Sequence, residues 1–192
     1  RGKKVYHCKA IFTIKISIFN KKTKALVLYP QSLVKDFYEI PYEIKNIENN
    51  SFHDTKISLI SIPSSVTNIS PNAFSNNQTS SFIVAPDNST FESIDGVIFN
   101  KKTKALLAYP NSKERESYDI PIGTKGLEGY SLFHSSNLKS ITIPESVKNI
   151  RVSALSSFMF DTDIVFIVAK GSSAESYCKK LNLNYQHPID WL

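Results

Sequence analysis

Residues 60–66 read ISIPSSV and residues 141–147 read ITIPESV, and this short motif decides the fold. Its two isoleucines flank a single residue, which is the alternation expected of a half-buried strand. Proline then ends the strand, because it has no N–H to donate to a sheet ladder. Related motifs precede and follow at spacings of 22 or 23 residues within two groups, with longer steps between the groups and before the last motif. The central residues of these motifs, predicted to point outward, are Glu39, Ser61, Ile83, Asp119, Thr142 and Ile167.

A second, longer repeat lies between the groups of short motifs. Residues 18–30 read IFNKKTKALVLYP and residues 98–110 read IFNKKTKALLAYP, an offset of 80 residues. Alternation over Ile11–Phe19, a polar turn over Asn20–Lys24 and an apolar return over Ala25–Tyr29 predict a β-hairpin. The chain is therefore an internal duplication in which a hairpin separates groups of shorter units.

The short units also share apolar positions after the strand, such as Val66, Ile69 and Ala73 in one unit. These positions are too unevenly spaced for a long helix, and they fit a coil that sends side chains into a shared interior. A strand-led period in the low twenties is typical of leucine-rich repeats. We predict an α/β, strand-rich leucine-rich-repeat solenoid forming a single domain over 1–192. Its predicted parts are a first duplicate (11–88), a second duplicate (91–172) and a C-terminal cap (172–192).

The cap is predicted to be a short helix that covers the open end of the solenoid. Ser172 and Glu175 have the spacing of a capping box. Apolar residues then follow at helical spacing: Ala174, Tyr177, Cys178 and Leu181. On this interpretation Cys178 is a buried apolar thiol.

Two stretches resemble a known family. Residues 138–150, LKSITIPESVKNI, are similar to the repeat of the BspA-like leucine-rich-repeat family of bacterial and protist surface proteins. Residues 84–100, VAPDNSTFESIDGVIFN, are similar to its connecting hairpin. The resemblance implies a right-handed solenoid, extracellular or cell-surface exposure, and a role in adhesion or protein binding. The chain departs from the family pattern at 151–153 and 158–160, where turns are expected.

Composition adds few constraints. The net charge of +6 over 192 residues permits an acidic partner without requiring one. Cys8 and Cys178 lie near opposite ends, so we expect no disulfide between them in an elongated fold. No apolar run reaches the roughly 18 residues that a membrane-spanning helix needs, so we predict no membrane insertion in this segment. The start at Arg1 suggests a processed chain or an excised fragment.

No motif of an enzyme, cofactor site or metal site occurs in the sequence. His53 and His134 are repeat-equivalent, which places them too far apart to share an ion, and His7 and His187 lack ligand partners at suitable spacing. The charged segment around Glu114 and Glu116 reads as a solvated turn. We therefore predict no enzymatic activity, no cofactor and no metal.

Two surfaces remain as candidates for binding. The outward row named above would line a sheet and could bind a protein, for example a host matrix or cell-surface protein, or could be a featureless face. The hairpin tips could contact an acidic glycan or could simply keep the turns soluble; their lysines are Lys21, Lys22, Lys24, Lys101, Lys102 and Lys104. Because the tips lack interleaved aromatic residues, we expect no nucleic-acid binding. A spacer that binds nothing, and an enzyme with a site built across repeats, are the competing hypotheses.

Overall fold

The computed structural model describes residues 17–132, 135, 137–160 and 163–188. Its strands in chain order are β1 (Ile18–Asn20), β2 (Ala25–Leu28), β3 (Val34–Glu39), β4 (Asn46–Ile47), β5 (Lys56–Ile62), β6 (Asn68–Ile69), β7 (Ser81–Val84), β8 (Phe91–Ile94), β9 (Val97–Asn100), β10 (Ala105–Ala108), β11 (Ser117–Asp119), β12 (Gly126–Leu127), β13 (Ser140–Ile143), β14 (Asn149–Ile150), β15 (Val165–Val168) and β16 (Tyr185–Gln186). Helix α1 spans Ser173–Leu181. Two 3-10 helices span Val152–Ala154 and Ser156–Phe160.

The predicted motif strands form one side of a coil. Strands β3, β5 and β7 make one parallel sheet, and β11, β13, β15 and β16 make another. In each motif the residues flanking the outward position are buried or half-buried, as for Ile60 and Ile62. Alternate strand residues face opposite sides, so one face of each sheet fills the interior and the other points outward.

A second row of parallel strands closes the other side of the coils led by β3, β5, β11 and β13. Strands β4 and β6 continue from β2, and β12 and β14 continue from β10. Most have only two residues, because only Asn-Ile or Gly-Leu pairs meet their neighbours in register. Within each group, consecutive coils that carry these strands are hydrogen-bonded to each other on two sides, which is the arrangement of a solenoid.

The two hairpins enter this second row of strands. In the first hairpin, β1 pairs antiparallel with β2. In the second, β8, β9 and β10 form an antiparallel meander whose last strand pairs with β12. The predicted turn and return strand are therefore confirmed, while the predicted strand before Ser17 lies outside the described residues.

The second hairpin separates two clusters of core side chains. Ile98 and Leu107 pack with the core built from the first group of coils. Phe99 and Leu106 pack with the core of the later coils and the cap. We call β9 and β10 the septum, since some of their side chains are buried in the earlier core and others in the later core.

The C-terminal cap has the predicted chemistry. The Ser172 hydroxyl accepts a hydrogen bond from the Glu175 N–H at 3.1 Å, and Glu175 Oε2 in turn accepts from the Gly171 N–H at 2.6 Å. Ala174 and Cys178 are buried in the later core. Burial raises the pKa of the Cys178 thiol to about 11, so it stays protonated at neutral pH. Cys8 lies outside the described residues.

The last full unit differs from the others where the sequence departs from the family pattern. The two 3-10 helices replace the turns expected at 151–153 and 158–160, and Ala154, Leu155 and Phe158 still reach the core. The predicted strand-rich solenoid with hairpins and a short capping helix is confirmed. The division into duplicates at 88 and 91 stays a prediction.

Candidate partner-binding surface

The predicted outward row consists of two registered ladders. In the first sheet Glu39, Ser61 and Ile83 are direct neighbours across β3, β5 and β7. Glu39 and Ile83 are exposed and Ser61 is half-buried. Neighbouring strands lie about 4.8 Å apart, so the three side chains form a contiguous strip.

The second sheet carries the other three residues. Asp119, Thr142 and Ile167 are neighbours across β11, β13 and β15, and Gln186 of β16 continues the ladder. Asp119 is exposed, whereas Thr142 and Ile167 are half-buried. This strip is more polar than the first, so the two sheets present different chemistry.

The strips do not join into one row, because the turn of the second hairpin stands between them. Asp95 has φ 52° and Gly96 has φ 75°, and the Gly96 carbonyl accepts a hydrogen bond from the Phe82 N–H of β7. A Cβ on Gly96 would lie 2.4 Å from the Ser81 hydroxyl oxygen, so only glycine fits against β7 here. The turn thereby covers the free edge of the first sheet.

An open groove of about 450 Å³ lies between this turn and β11. Asp95 is held there by Arg115, at 2.6 Å between Nη1 and Oδ2, and by Lys113, whose Nζ also donates to the Asp95 carbonyl at 2.8 Å. Beneath it the Tyr118 ring is buried, and desolvation raises the pKa of its phenol well above the ordinary value. The groove is therefore a charged boundary between the two strips.

Two apolar residues on the outward face of the first sheet were not predicted from the sequence. Phe37 and Leu59 are register neighbours two residues before Glu39 and Ser61. Phe37 is 48% exposed and Ile83 is 47% exposed, with half-buried Leu59 between their strands. The motif defines as outward only the residue between two buried positions. The same alternation continued two residues towards the N-terminus would have predicted that Phe37 and Leu59 also point outward.

The turns at the two hairpin tips have the same hydrogen bonds and backbone conformation. Asn20 Oδ1 accepts from the N–H groups of Lys22 and Thr23, and Asn100 does the same in the second copy. Lys24 and Lys104 both have φ 54°. This shared geometry accounts for the asparagine that begins each turn, whereas it does not require lysine at the tip positions.

The individual lysines differ between copies. Lys101 Nζ donates to the Asn88 carbonyl at 2.6 Å, and Lys104 lies 4.0 Å from Glu92. Lys21, Lys22, Lys24 and Lys102 are exposed at their tips. The two tips belong to separate sheets, so the structure does not bring the six lysines into one site.

The described histidines make local contacts. His53 Nδ1 lies 3.1 Å from the Ser75 carbonyl oxygen, and its Nε2 lies 3.3 Å from Asp54. His187 Nε2 is 3.0 Å from Glu175 in the cap. His7 and His134 are outside the described residues. Within the described part of the chain, no group of His, Cys, Asp and Glu side chains is arranged to hold a metal ion.

Comparison with known proteins identifies the family. The BspA type leucine rich repeat region matches in six copies over residues 29–157 and 105–182. The chain belongs to this BspA-type leucine-rich-repeat family. No curated protein matches this BspA-type chain.

Two solved structures are similar to this BspA-type chain. A leucine-rich repeat protein from Eubacterium ventriosum has a TM-score of 0.53 at 20% identity, over 71% of this chain and 42% of that one. The pneumococcal vaccine antigen PcpA has a TM-score of 0.54 at 26% identity, over 69% of this chain and 38% of that one. This chain therefore spans about two fifths of the length of each. Among the described residues, no helix has the length and apolar character needed to cross a bilayer.

Proposed function

We propose that this BspA-type segment is a non-enzymatic binding module whose outward sheet face contacts a protein partner. The observation that carries the proposal is an apolar strip that runs diagonally over three adjacent strands: Phe37 and Leu59 are register neighbours, and Ile83 lies two residues beyond Ser81, the register partner of Leu59 on β7. Large apolar side chains grouped on an exposed face favour contact with another protein. Repeat proteins commonly bind partners over such extended surfaces.

The chemistry of the strip fits a protein better than a small molecule. Aromatic and branched apolar side chains supply binding energy at the centre of protein interfaces, and polar neighbours such as Glu39 and Ser61 give orientation. The groups with strongly shifted pKa values are buried phenols, a buried thiol and the cap carboxylate of Glu175. Each of these groups is explained by packing in the core or cap, so none of them calls for a catalytic role.

We also propose that the segment acts outside the cell or at its surface, with host matrix or cell-surface protein as the partner class. The support is the BspA-type family and the likeness to PcpA, which is a vaccine antigen. A rigid solenoid that presents a flat strip is suited to adhesion rather than to enclosing a substrate.

Binding to immobilised fibronectin, laminin and collagen at 0.15 M salt tests this proposal. We expect Phe37→Asp combined with Ile83→Asp to weaken binding at least about tenfold, because charged groups would replace the apolar strip. Asp119→Ala, on the second strip, is expected to have a smaller effect. The matched control is Ile122→Asp, since Ile122 is 94% exposed and lies off the sheet face.

The outcomes are distinct. Equal weakening by Ile122→Asp would show that general surface stickiness, rather than the strip, holds the partner. An absence of binding to all three proteins would favour a spacer without a ligand of its own. Turnover in a broad hydrolase screen would contradict the non-enzymatic assignment.

A further inference from the structure

A second groove, of about 520 Å³, crosses the row of short strands in the second copy. Its base is formed by Ala105, Gly126 and Leu127, which are buried in β10 and β12. Its rims carry Lys125, Lys148, Asn149 and Arg151, all of them exposed. This groove lies on the opposite side of the coil from the sheet face proposed above to bind protein.

The space over the base exists because residue 126 is glycine. Ala105, Gly126 and Asn149 are register neighbours across β10, β12 and β14. A Cβ at 126 would lie 3.1 Å from the Asn149 carbonyl oxygen and 3.7 Å from Ala105 Cβ. Any side chain at this position would therefore stand directly over the base.

In the first copy a side chain occupies the position equivalent to residue 126. Its equivalent register neighbours are Ala25, Asn46 and Asn68. Asn46 occupies the position of Gly126, and its Nδ2 donates to the Thr23 carbonyl at 2.7 Å. The duplicates thus differ at the one position that opens the groove.

Three lysines of the second copy, Lys104, Lys125 and Lys148, are aligned along the coils. The Lys104 carbonyl accepts from the Lys125 N–H, and the Lys125 carbonyl accepts from the Lys148 N–H. These three lysines therefore stand on successive coils, about 4.8 Å apart along the backbone ladder. In the first copy the last of the three positions is Thr67, and Ser70 stands where the second copy has Arg151.

Carboxylates moderate this positive charge. Lys148 lies 3.7 Å from Glu145, Arg151 lies 3.4 Å from Glu128, and all four side chains remain at least partly exposed. Lys125 makes no ion pair among the described residues. A heavily sulfated glycan, with several anionic groups per sugar, would place some of them against Glu128 and Glu145 and against Glu92, which lies 4.0 Å from Lys104, whereas a polymer with at most one carboxylate per sugar would place fewer there.

We propose that this groove binds a linear polysaccharide bearing uronic-acid carboxylates. The extended sugar would run along the coils, with a carboxylate on each sugar or on every second sugar facing Lys104, Lys125 or Lys148. Thr103 and Asn149, on the groove lining, supply hydroxyl and amide groups for the sugar hydroxyls. The groove lining contains no aromatic ring on which a base could stack, which disfavours a single-stranded nucleic acid.

The probes are hyaluronan and polygalacturonate, and the comparison ligands are neutral dextran, heparin and oligo(dT). Their affinity for the protein is measured by biolayer interferometry at 0.05 and 0.15 M salt. The test variant gives the second copy the residues of the first: Gly126→Asn, Lys148→Thr and Arg151→Ser. We expect it to bind the uronic-acid probes at least about tenfold more weakly, the equivalent of about 1.4 kcal/mol. Gly126→Asn alone should weaken binding at least about threefold through occlusion, and thermal unfolding would verify that each variant is folded.

The control removes the same charge from the first copy at two exposed lysines, as Lys45→Thr with Lys56→Thr, and should change binding by less than about twofold. An equal loss in the control would overturn the proposal in favour of net charge. Unchanged affinity in Gly126→Asn would show that the groove is unoccupied. Heparin or oligo(dT) binding as tightly as the uronic-acid probes, with the same sensitivity to the variants, would reduce the site to a generic anion surface. None of these results bears on Phe37 and Ile83, so the protein-binding proposal stands or falls separately.

Discussion

At the residue scale, Asn88 joins the first group of coils to the second hairpin. Its Nδ2 donates to the carbonyl oxygens of Pro63 and Val66 at 2.9 and 3.0 Å. Its Oδ1 accepts from the N–H groups of Thr90 and Phe91 at 2.9 and 2.8 Å. The side chain is 1% exposed, so its loss would leave buried backbone groups without partners.

We predict that Asn88→Ala lowers the free energy of unfolding by about 2–4 kcal/mol, because several buried hydrogen bonds are lost together. Urea titration followed by circular dichroism would measure this. Asn68→Ala is the matched control, since the Asn68 side chain is exposed, and it should cost less than about 0.5 kcal/mol. Similar values for the two variants would contradict a joining role for Asn88.

The same burial decides between candidate glycosylation sequences. Asn49, Asn68, Asn77 and Asn88 each begin an N-x-Ser/Thr pattern. Asn88 and Asn77 are buried, while Asn49 and Asn68 are exposed. In the folded chain only the latter pair is open to modification, a distinction that the pattern alone does not contain.

At the element scale, the capping helix depends on the ionisation of Glu175. The Gly171 N–H, Lys179 and His187 donate to this carboxylate and lower its pKa from 4.5 to about 2. A carboxyl with a depressed pKa stabilises the fold above its unfolded value and loses that contribution as it is protonated. The cap is therefore expected to weaken as the pH falls from about 4.5 towards 2.

We predict that Glu175→Gln is less stable than the parent at pH 7 and that the difference shrinks between pH 4.5 and 2. Thermal unfolding at pH 7, 4 and 2.5 would follow it. Glu145→Gln is the control, because Glu145 is an exposed carboxylate outside the cap. A difference between Glu175→Gln and the parent that stays constant down to pH 2.5 would exclude Glu175 as the source.

Elements with a local signature were predictable from the sequence. The motif strands, the hairpin turns and the cap follow from alternation, proline positions and the Ser172–Glu175 spacing. The short strands such as β4 and β12 were not, because two residues carry no periodicity and their pairing depends on coils more than 20 residues away. The separation of the motif strands into two sheets was not predicted for a similar reason. It depends on the packing of the Asp95–Gly96 turn against β7, which is a contact between distant parts of the chain.

The candidate binding surfaces were likewise only partly predictable from the sequence. The outward direction of Ile83 and Asp119 follows from alternation and is confirmed in the structure. Their role in binding stays a prediction. The groove over Gly126 could not be anticipated, because it requires knowing that Ala105, Gly126 and Asn149 are neighbours across three coils.

At the scale of the whole molecule, the septum couples the two cores. Leu106 and Leu107 are adjacent in β10 and are buried on opposite sides, the first in the later core and the second in the earlier core. Removing either side chain would leave a cavity in one core and loosen the strand that bounds the other. The two groups of coils should therefore unfold together.

We predict that Leu106→Ala and Leu107→Ala each cost about 2–4 kcal/mol. Hydrogen exchange measured by mass spectrometry should show faster exchange in both 34–84 and 117–168 for either variant. The control is Val27→Ala, at the equivalent of Leu107 in the first copy, where the side chain is 37% exposed against 6% for Leu107. It should cost less than about 1 kcal/mol. Exchange confined to one group of coils in each variant would show that the cores open independently.

The two-faced septum also has an evolutionary consequence. A block of about 80 residues that carries its own double-sided connector can be copied in tandem, and each new copy arrives with a surface that already fits its predecessor. Growth by duplication then needs no new interface to be selected. Individual positions of one copy can then diverge, and the two copies differ in this way at Asn46 and Gly126. A gene built this way lengthens easily and specialises one copy at a time.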